Sequence, residues 1–273
     1  MVYSYEYAIS TRREVIPMLY KWSVRLPKLS GLEPRTAFVY VPDICLEDPS
    51  IRLPVLYMFD GQNLFTDEDA SFGKSWGMLD YLEFNDIPLI VAAVECNRSP
   101  DPAKGRLSEY SPFDYDDPKC GPIPGRARLM MDWMTRVFKP MIDRRFPTLP
   151  SRKYTFIGGS SMGGLISLYA VSRYNHIFSR CAALSPSLWV SPEGCKRLAS
   201  NPRMRQDTNI YMDYGTEEMG NHPGMINTFA SVSEQLLRRG IPVTTRIVPG
   251  GDHSEGSWEN QLPYFFHSLL YNL

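Results

Sequence analysis

The stretch Thr155-Phe156-Ile157-Gly158-Gly159-Ser160-Ser161-Met162-Gly163-Gly164-Leu165 contains a G-x-S-x-G match at Gly159, Ser161 and Gly163. A β-rich apolar run, Tyr154 to Ile157, precedes the serine, and a helix-compatible run, Leu165 to Tyr174, follows it. At the apex of such a strand-turn-helix, the serine backbone is strained so that Oγ projects from the top of a sheet. Small neighbours let strand and helix pass closely. The chemistry on offer is nucleophilic attack on an acyl carbon. The pentapeptide alone also fits a glycine turn that does nothing but permit tight packing, so its context has to decide.

A serine hydroxyl is a poor nucleophile near neutral pH and needs a base, itself oriented by an acid, in the chain order Ser, acid, His. All four histidines lie downstream of Ser161. His253, in Pro249-Gly250-Gly251-Asp252-His253-Ser254, sits between the last predicted strand and the last predicted helix, where the base belongs. His222 competes, because its loop also follows a strand that ends at the rim of the site. His176 reads as a turn residue and His267 as part of an aromatic helix face. The acid is expected in the loop after the strand Asn209 to Tyr214, where three carboxylates compete. Asp213 still lies in the strand, where it can accept backbone hydrogen bonds. Glu217 and Glu218 lie beyond the glycine turn, from which a side chain reaches His253 Nδ1. The order of preference is Glu218, Asp213, Glu217. A tetrahedral intermediate also needs two backbone amides for its oxyanion, and Met162 and Gln62, the latter in Asp60-Gly61-Gln62-Asn63, are in the expected places.

The elements that must position these residues alternate as in a mostly parallel sheet covered on both faces. Strands are predicted at Val15 to Tyr20, Arg35 to Val41, Leu53 to Phe59, Leu89 to Val94, Cys181 to Leu184, Asn209 to Tyr214 and Val243 to Val248, besides the one before Ser161. Helices are predicted at Arg126 to Phe146, Met225 to Arg239 and Trp258 to Leu270. The loop Ser99 to Gly125, rich in proline, glycine and aspartate, is long enough to read as functional or lid-like.

Composition narrows the classes. The length of 273 residues and the apolar fraction of 43% suit one α/β domain over 1–273. A formal net charge of -1 gives no field for capturing nucleic acid or an anionic membrane. The five cysteines are an odd number without metal-ligand spacing, and read as reduced structural thiols. Met1 to Ser10 lacks the basic start and apolar run of a signal peptide, and no apolar run reaches the roughly 18 residues of a membrane span, so a cytoplasmic location is expected. The chemistry needs no cofactor and no metal. The expected partner is a small-molecule ester, with a homo-oligomer left open.

Taken together, the chain resembles the esterase D and enterochelin esterase family, a branch of the α/β-hydrolases, from about Arg35 onward. The resemblance is carried by Tyr57 to Phe65, Ser75-Trp76-Gly77 with Asp80, Arg106 to Pro112, Gly158 to Gly164, Ala183 to Trp189, Asp213 to Glu218, and Gly251-Asp252-His253 with Trp258. It implies an α/β-hydrolase fold and a serine ester hydrolase with Ser161 as nucleophile, His253 as base, Glu218 as acid and the Gln62 amide in the oxyanion hole. It also suggests an Arg106–Glu109 ion pair beside the pocket and a pocket wall from Trp189, with packing as the plain alternative. Trp76 and Trp258 carry the same ambiguity. Asn63 and Asn97 are pocket groups or turn formers. The turns differ from those of S-formylglutathione hydrolases, and no basic cluster suited to a trianionic iron chelate is evident. Feruloyl and acetyl-xylan esterases share the fold but are typically secreted. Acyl transfer to an alcohol, or a non-catalytic binding module on the same fold, are the competing readings.

Overall fold

The computed structural model describes residues 18–222 and 224–273. Among the described residues ten strands occur in chain order: β1 (Met18–Arg25), β2 (Pro34–Val41), β3 (Val55–Met58), β4 (Ile90–Val94), β5 (Tyr115–Asp117), β6 (Gly121–Ile123), β7 (Thr155–Ser160), β8 (Arg180–Leu184), β9 (Asn209–Gly215) and β10 (Val243–Val248). Eight form one sheet in the order β1-β2-β4-β3-β7-β8-β9-β10, and β5 with β6 makes a separate hairpin. β2 runs antiparallel to both β1 and β4, while every pairing from β4 to β10 is parallel.

The near-continuous apolar runs of β3 and β4 have their cause in this layout, because helices cover both faces and every residue of these two strands, as of β7, is buried. Alternate side chains feed two cores. Val55, Tyr57 and Phe59 pack on one face with helices Met162–Arg173 and Met225–Arg238. Leu56 and Met58 pack on the other with Met78–Phe84 and Leu262–Leu270. β7 lies mid-sheet with β3 on one side and β8 then β9 on the other, so the loops at their carboxyl ends converge on Ser161.

Several predicted elements differ in detail. The first strand begins at Met18, and Val15 to Pro17 lie outside the described residues. The segment Ser99 to Gly125 is no structureless lid: it holds the helix Arg106–Tyr110 and the β5–β6 hairpin. The predicted helix Arg126 to Phe146 is broken by a π-helical turn at Met134–Phe138 just before Pro140, whose missing N–H cannot join an α ladder. The last helix is two, Glu255–Glu259 and Leu262–Leu270, with Pro263 in the opening turn of the second. All five cysteines are free, and Cys96, Cys181 and Cys195 are buried. Among the described residues no helix is long and apolar enough to cross a membrane.

Candidate active site

Ser161 sits between the end of β7 and the start of the helix Met162–Arg173, with φ 58 and ψ -123. A positive φ at a residue with a Cβ is a strained state that persists only where its surroundings impose it. Two bonds do so: the Ser161 amide donates to the Leu184 carbonyl at 2.9 Å, and its own carbonyl accepts from the Ser187 amide at 3.0 Å. Glycine is required beside it, since a Cβ on Gly159 would lie 2.9 Å from the Gly163 carbonyl carbon.

Ser161 Oγ lies 2.9 Å from His253 Nε2, and His253 Nδ1 lies 2.5 Å from Glu218 Oε2. A carboxylate only accepts, so the Nδ1 proton points at Glu218, Nε2 is left as an acceptor, and the Ser161 hydroxyl donates to it. Glu218 is buried, and its other oxygen accepts from the Gly215 amide at 2.8 Å and the Ser185 hydroxyl at 2.5 Å. The loops that carry Glu218 and His253 meet backbone to backbone. The Glu217 amide donates to the Gly251 carbonyl at 3.0 Å. A Cβ on Gly215 would fall 2.1 Å from that same oxygen, so only glycine lets the loops approach.

The competing residues have other occupations. Glu217 is exposed and makes its side-chain contact with Thr216. Asp213 is buried behind the site, accepting from the Ser185 amide at 3.0 Å and the Tyr211 hydroxyl at 2.9 Å. His176 stacks on Tyr174 and His267 packs against Tyr271. His222 lies in the same cavity as His253, stacked on Trp189 with ring centroids 4.3 Å apart. Burial, followed by the neighbouring His253, lowers the His222 pKa and favours its neutral form.

Burial, with the nearby Glu218 charge adding to it, pushes the Asp213 carboxyl up to about 7 despite its two donors. The folded state therefore holds this proton more tightly than the unfolded chain. Its stabilising contribution is complete below the ordinary 3.8 and is lost as pH rises through about 7. Asp213→Asn, which keeps an acceptor for the Ser185 amide, is expected to flatten the fall in Tm over that window. Thermal melts from pH 4 to 8 check this, and an unchanged slope contradicts it.

The turn bearing Gln62 is tied down from two sides. Asp60, itself at φ 55, receives a two-pronged ion pair from Arg106 at 2.6 and 2.8 Å, and its amide donates to the Tyr110 hydroxyl at 3.3 Å. The sequence-based pairing of Arg106 with Glu109 is thus corrected. Glu109 instead takes a bidentate bond from Arg35, both contacts 2.6 Å, so each of the two side chains is matched by an opposite charge from another element although i and i+3 share a helix face. Burial opposes the Arg106 cation, but the adjacent Asp60 more than offsets this and raises its pKa. Asn63 is a turn former and does not line the cavity: its oxygen accepts from the Ser71 amide at 2.9 Å, and its Nδ2 donates to Glu255 at 3.1 Å. That last bond joins the Gln62 turn to the His253 loop. Asn97 is likewise a turn former, capping the Ser99 amide at 3.0 Å. Gln62 is buried, with its side-chain oxygen on the Cys96 amide at 3.2 Å. The single turn of helix there is closed by the amides of Asn63 and Leu64, which leaves that of Gln62 outside the ladder. Met162, at the first position of its helix, has an amide with no intrahelical partner.

A cavity of about 190 Å³ is lined by Ser161, Met162, His253, Arg106, Trp189 and His222, while Gln62 lies outside its lining. Trp189 lines the cavity, stacked on His222 and nearly perpendicular to the Tyr115 ring. Trp76 is core. Trp258 packs edge-on against His253, with centroids 5.1 Å apart, and donates from its indole to Ser185 Oγ at 3.1 Å. Sequence reasoning missed Ser185 and Ser187. The available signal was their place on the loop after the strand next to β7. Among the described residues no group of three His, Cys, Asp or Glu side chains could hold a metal ion.

A family model described as "Putative esterase" matches residues 32–268. The siderophore triacetylfusarinine C esterase of Aspergillus fumigatus is 29% identical over 141 residues, which is 50% of this chain and 45% of that protein. The match therefore spans less than half of that relative. An IroE-like serine hydrolase from Shewanella oneidensis superposes with a TM-score of 0.68 at 20% identity, covering 92% of this chain and 79% of that one. A ferulic acid esterase gives 0.65 at 16% identity, covering 93% and 98%. At such identities the structures share the α/β-hydrolase fold with this chain.

Proposed function

The chain belongs to the esterase family, and on that premise we propose that it is a serine carboxylic-ester hydrolase working through an acyl-enzyme. The observation that carries this reading is the hydrogen-bonded line from Glu218 through His253 to Ser161, ending on a strained elbow inside a cavity. In the first half-reaction Ser161 Oγ attacks the ester carbon as its proton passes to His253 Nε2, and Glu218 stabilises the imidazolium so formed. The carbonyl oxygen becomes an oxyanion received by the amides of Met162 and Gln62. His253 then protonates the departing alcohol. In the second half-reaction water loses a proton to His253, attacks the acyl carbon and releases the acid, and Ser161 recovers its proton.

The curated relative is named for a siderophore ester and one structural neighbour for ferulic acid. For this chain we place the substrate among small esters with a flat group that packs on the Trp189–His222 wall. Arg106 lines the cavity but its charge is already matched by Asp60, so it does not select an anionic substrate. The test is hydrolysis of p-nitrophenyl acetate by wild type and Ser161→Ala. The proposal expects turnover that the substitution abolishes, and retained turnover contradicts it.

A further inference from the structure

Ser187 lies on the loop leaving β8, and its side chain is buried while its residue borders the catalytic cavity. Its amide is bound to the Ser161 carbonyl, and its Oγ lies 3.4 Å from Ser161 Oγ. That contact is longer than the about 2.5–3.0 Å of a well-formed hydroxyl-hydroxyl bond. Among the described residues it is the only side-chain hydrogen bond Ser187 makes. Because Ser161 donates to His253, the Ser187 proton has only this distant oxygen to point at. A buried hydroxyl so poorly satisfied at rest gains most from an acceptor that arrives during the reaction.

The sheet order says which oxygen that is. β3 and β8 flank β7 on opposite sides. The Gln62 amide comes from the β3 side, whereas Ser187 comes from the β8 side, toward β9, whose following loop carries Glu218, the partner of His253. In the tetrahedral intermediate the carbon bears Ser161 Oγ, the oxyanion and the alcohol oxygen. A hydroxyl touching Oγ from the His253 side stands beside the alcohol oxygen, away from the oxyanion.

We propose, resting on the Ser161–His253–Glu218 reading, that Ser187 is a catalytic residue for the leaving group. Its hydroxyl donates a hydrogen bond to the alcohol oxygen as the carbon-oxygen bond breaks and His253 delivers the proton it took from Ser161. In deacylation the same hydroxyl holds the attacking water. The water's proton goes to His253, its oxygen bonds the acyl carbon, and Ser161 Oγ leaves and is reprotonated by His253.

Leaving-group dependence tests this in Ser187→Ala. p-Nitrophenolate leaves without help, so kcat/KM for p-nitrophenyl acetate is expected to stay within about twofold, while kcat/KM for ethyl acetate falls about 10- to 100-fold, the range for a hydrogen bond to a developing charge. Ser187→Thr, which keeps the hydroxyl, is expected to restore the ethyl ester. Equal losses on both esters, as an oxyanion or packing role would give, overturn the proposal, and so does no loss on either. If the alanine variant does not fold, Ser187→Cys, of similar size and weaker donor strength, is read the same way. Ser161→Ala, assayed on both esters, keeps the outcomes apart: if it is inactive while Ser187→Ala shows no leaving-group dependence, only the Ser187 role falls.

Discussion

Exchanging Ser161 for alanine is expected to lower kcat/KM for p-nitrophenyl acetate by about 10^4- to 10^6-fold while leaving the fold intact. The size follows from covalent catalysis: without Oγ there is no acyl-enzyme, and what survives is water attack aided by the oxyanion amides and binding. The fold is expected to survive because the strained backbone at Ser161 is imposed by bonds from its amide and carbonyl, which alanine retains. Alanine also tolerates the positive φ no worse than serine does. His253→Ala belongs to the same unit, so the double variant should be hardly slower than either single one. Circular dichroism beside the kinetics separates lost chemistry from lost structure. A loss of less than about 100-fold in folded protein would place the nucleophile elsewhere.

Arg35→Met is expected to give the largest loss of stability, about 3–5 kcal/mol, with a fall in Tm on the order of 10 °C. Both partners of the Arg35–Glu109 pair are buried, their side chains 3% and 0% exposed, so removing the cation strands a carboxylate in the core. Burial already pushes the Glu109 carboxyl up, and the variant should relieve its cost partly by taking a proton. The double variant R35M/E109L, with no charge left to strand, should recover most of the loss. Function is affected too. Helix Arg106–Tyr110 carries Glu109 together with the two residues that hold Asp60, so loosening it frees the Gln62 turn. Chemical denaturation of the three proteins decides this. A single variant as stable as wild type, or a double variant no better than the single, contradicts it.

The central sheet was legible because burial on both faces writes itself as apolar runs, as in β3 and β4. The sharp turn at Ser161 was legible because the close strand-helix passage admits only glycine at Gly159, and the convergence of the Glu218 and His253 side chains on it because each follows a strand end. Partners across long sequence separation were not legible. Arg106 finds Asp60, 46 residues away, and Arg35 finds Glu109, 74 away, because the sheet brings their strands and loops together, and local spacing carries no trace of that. Asn63 failed as a pocket residue for the same reason: its partner is Glu255, 192 residues on. Ser185 and Ser187 escaped because a lone serine in a loop has no pattern. Only the strand order reveals that their loop adjoins the elbow.

The central claim is that Ser161 is an activated nucleophile. The most direct measurement is labelling of the folded protein with a fluorophosphonate, followed by peptide mass spectrometry. One adduct on the peptide containing Ser161, lost in Ser161→Ala and suppressed in His253→Ala, is the expected result. An unlabelled Ser161, or an adduct on another side chain in protein shown to be folded, would contradict the account.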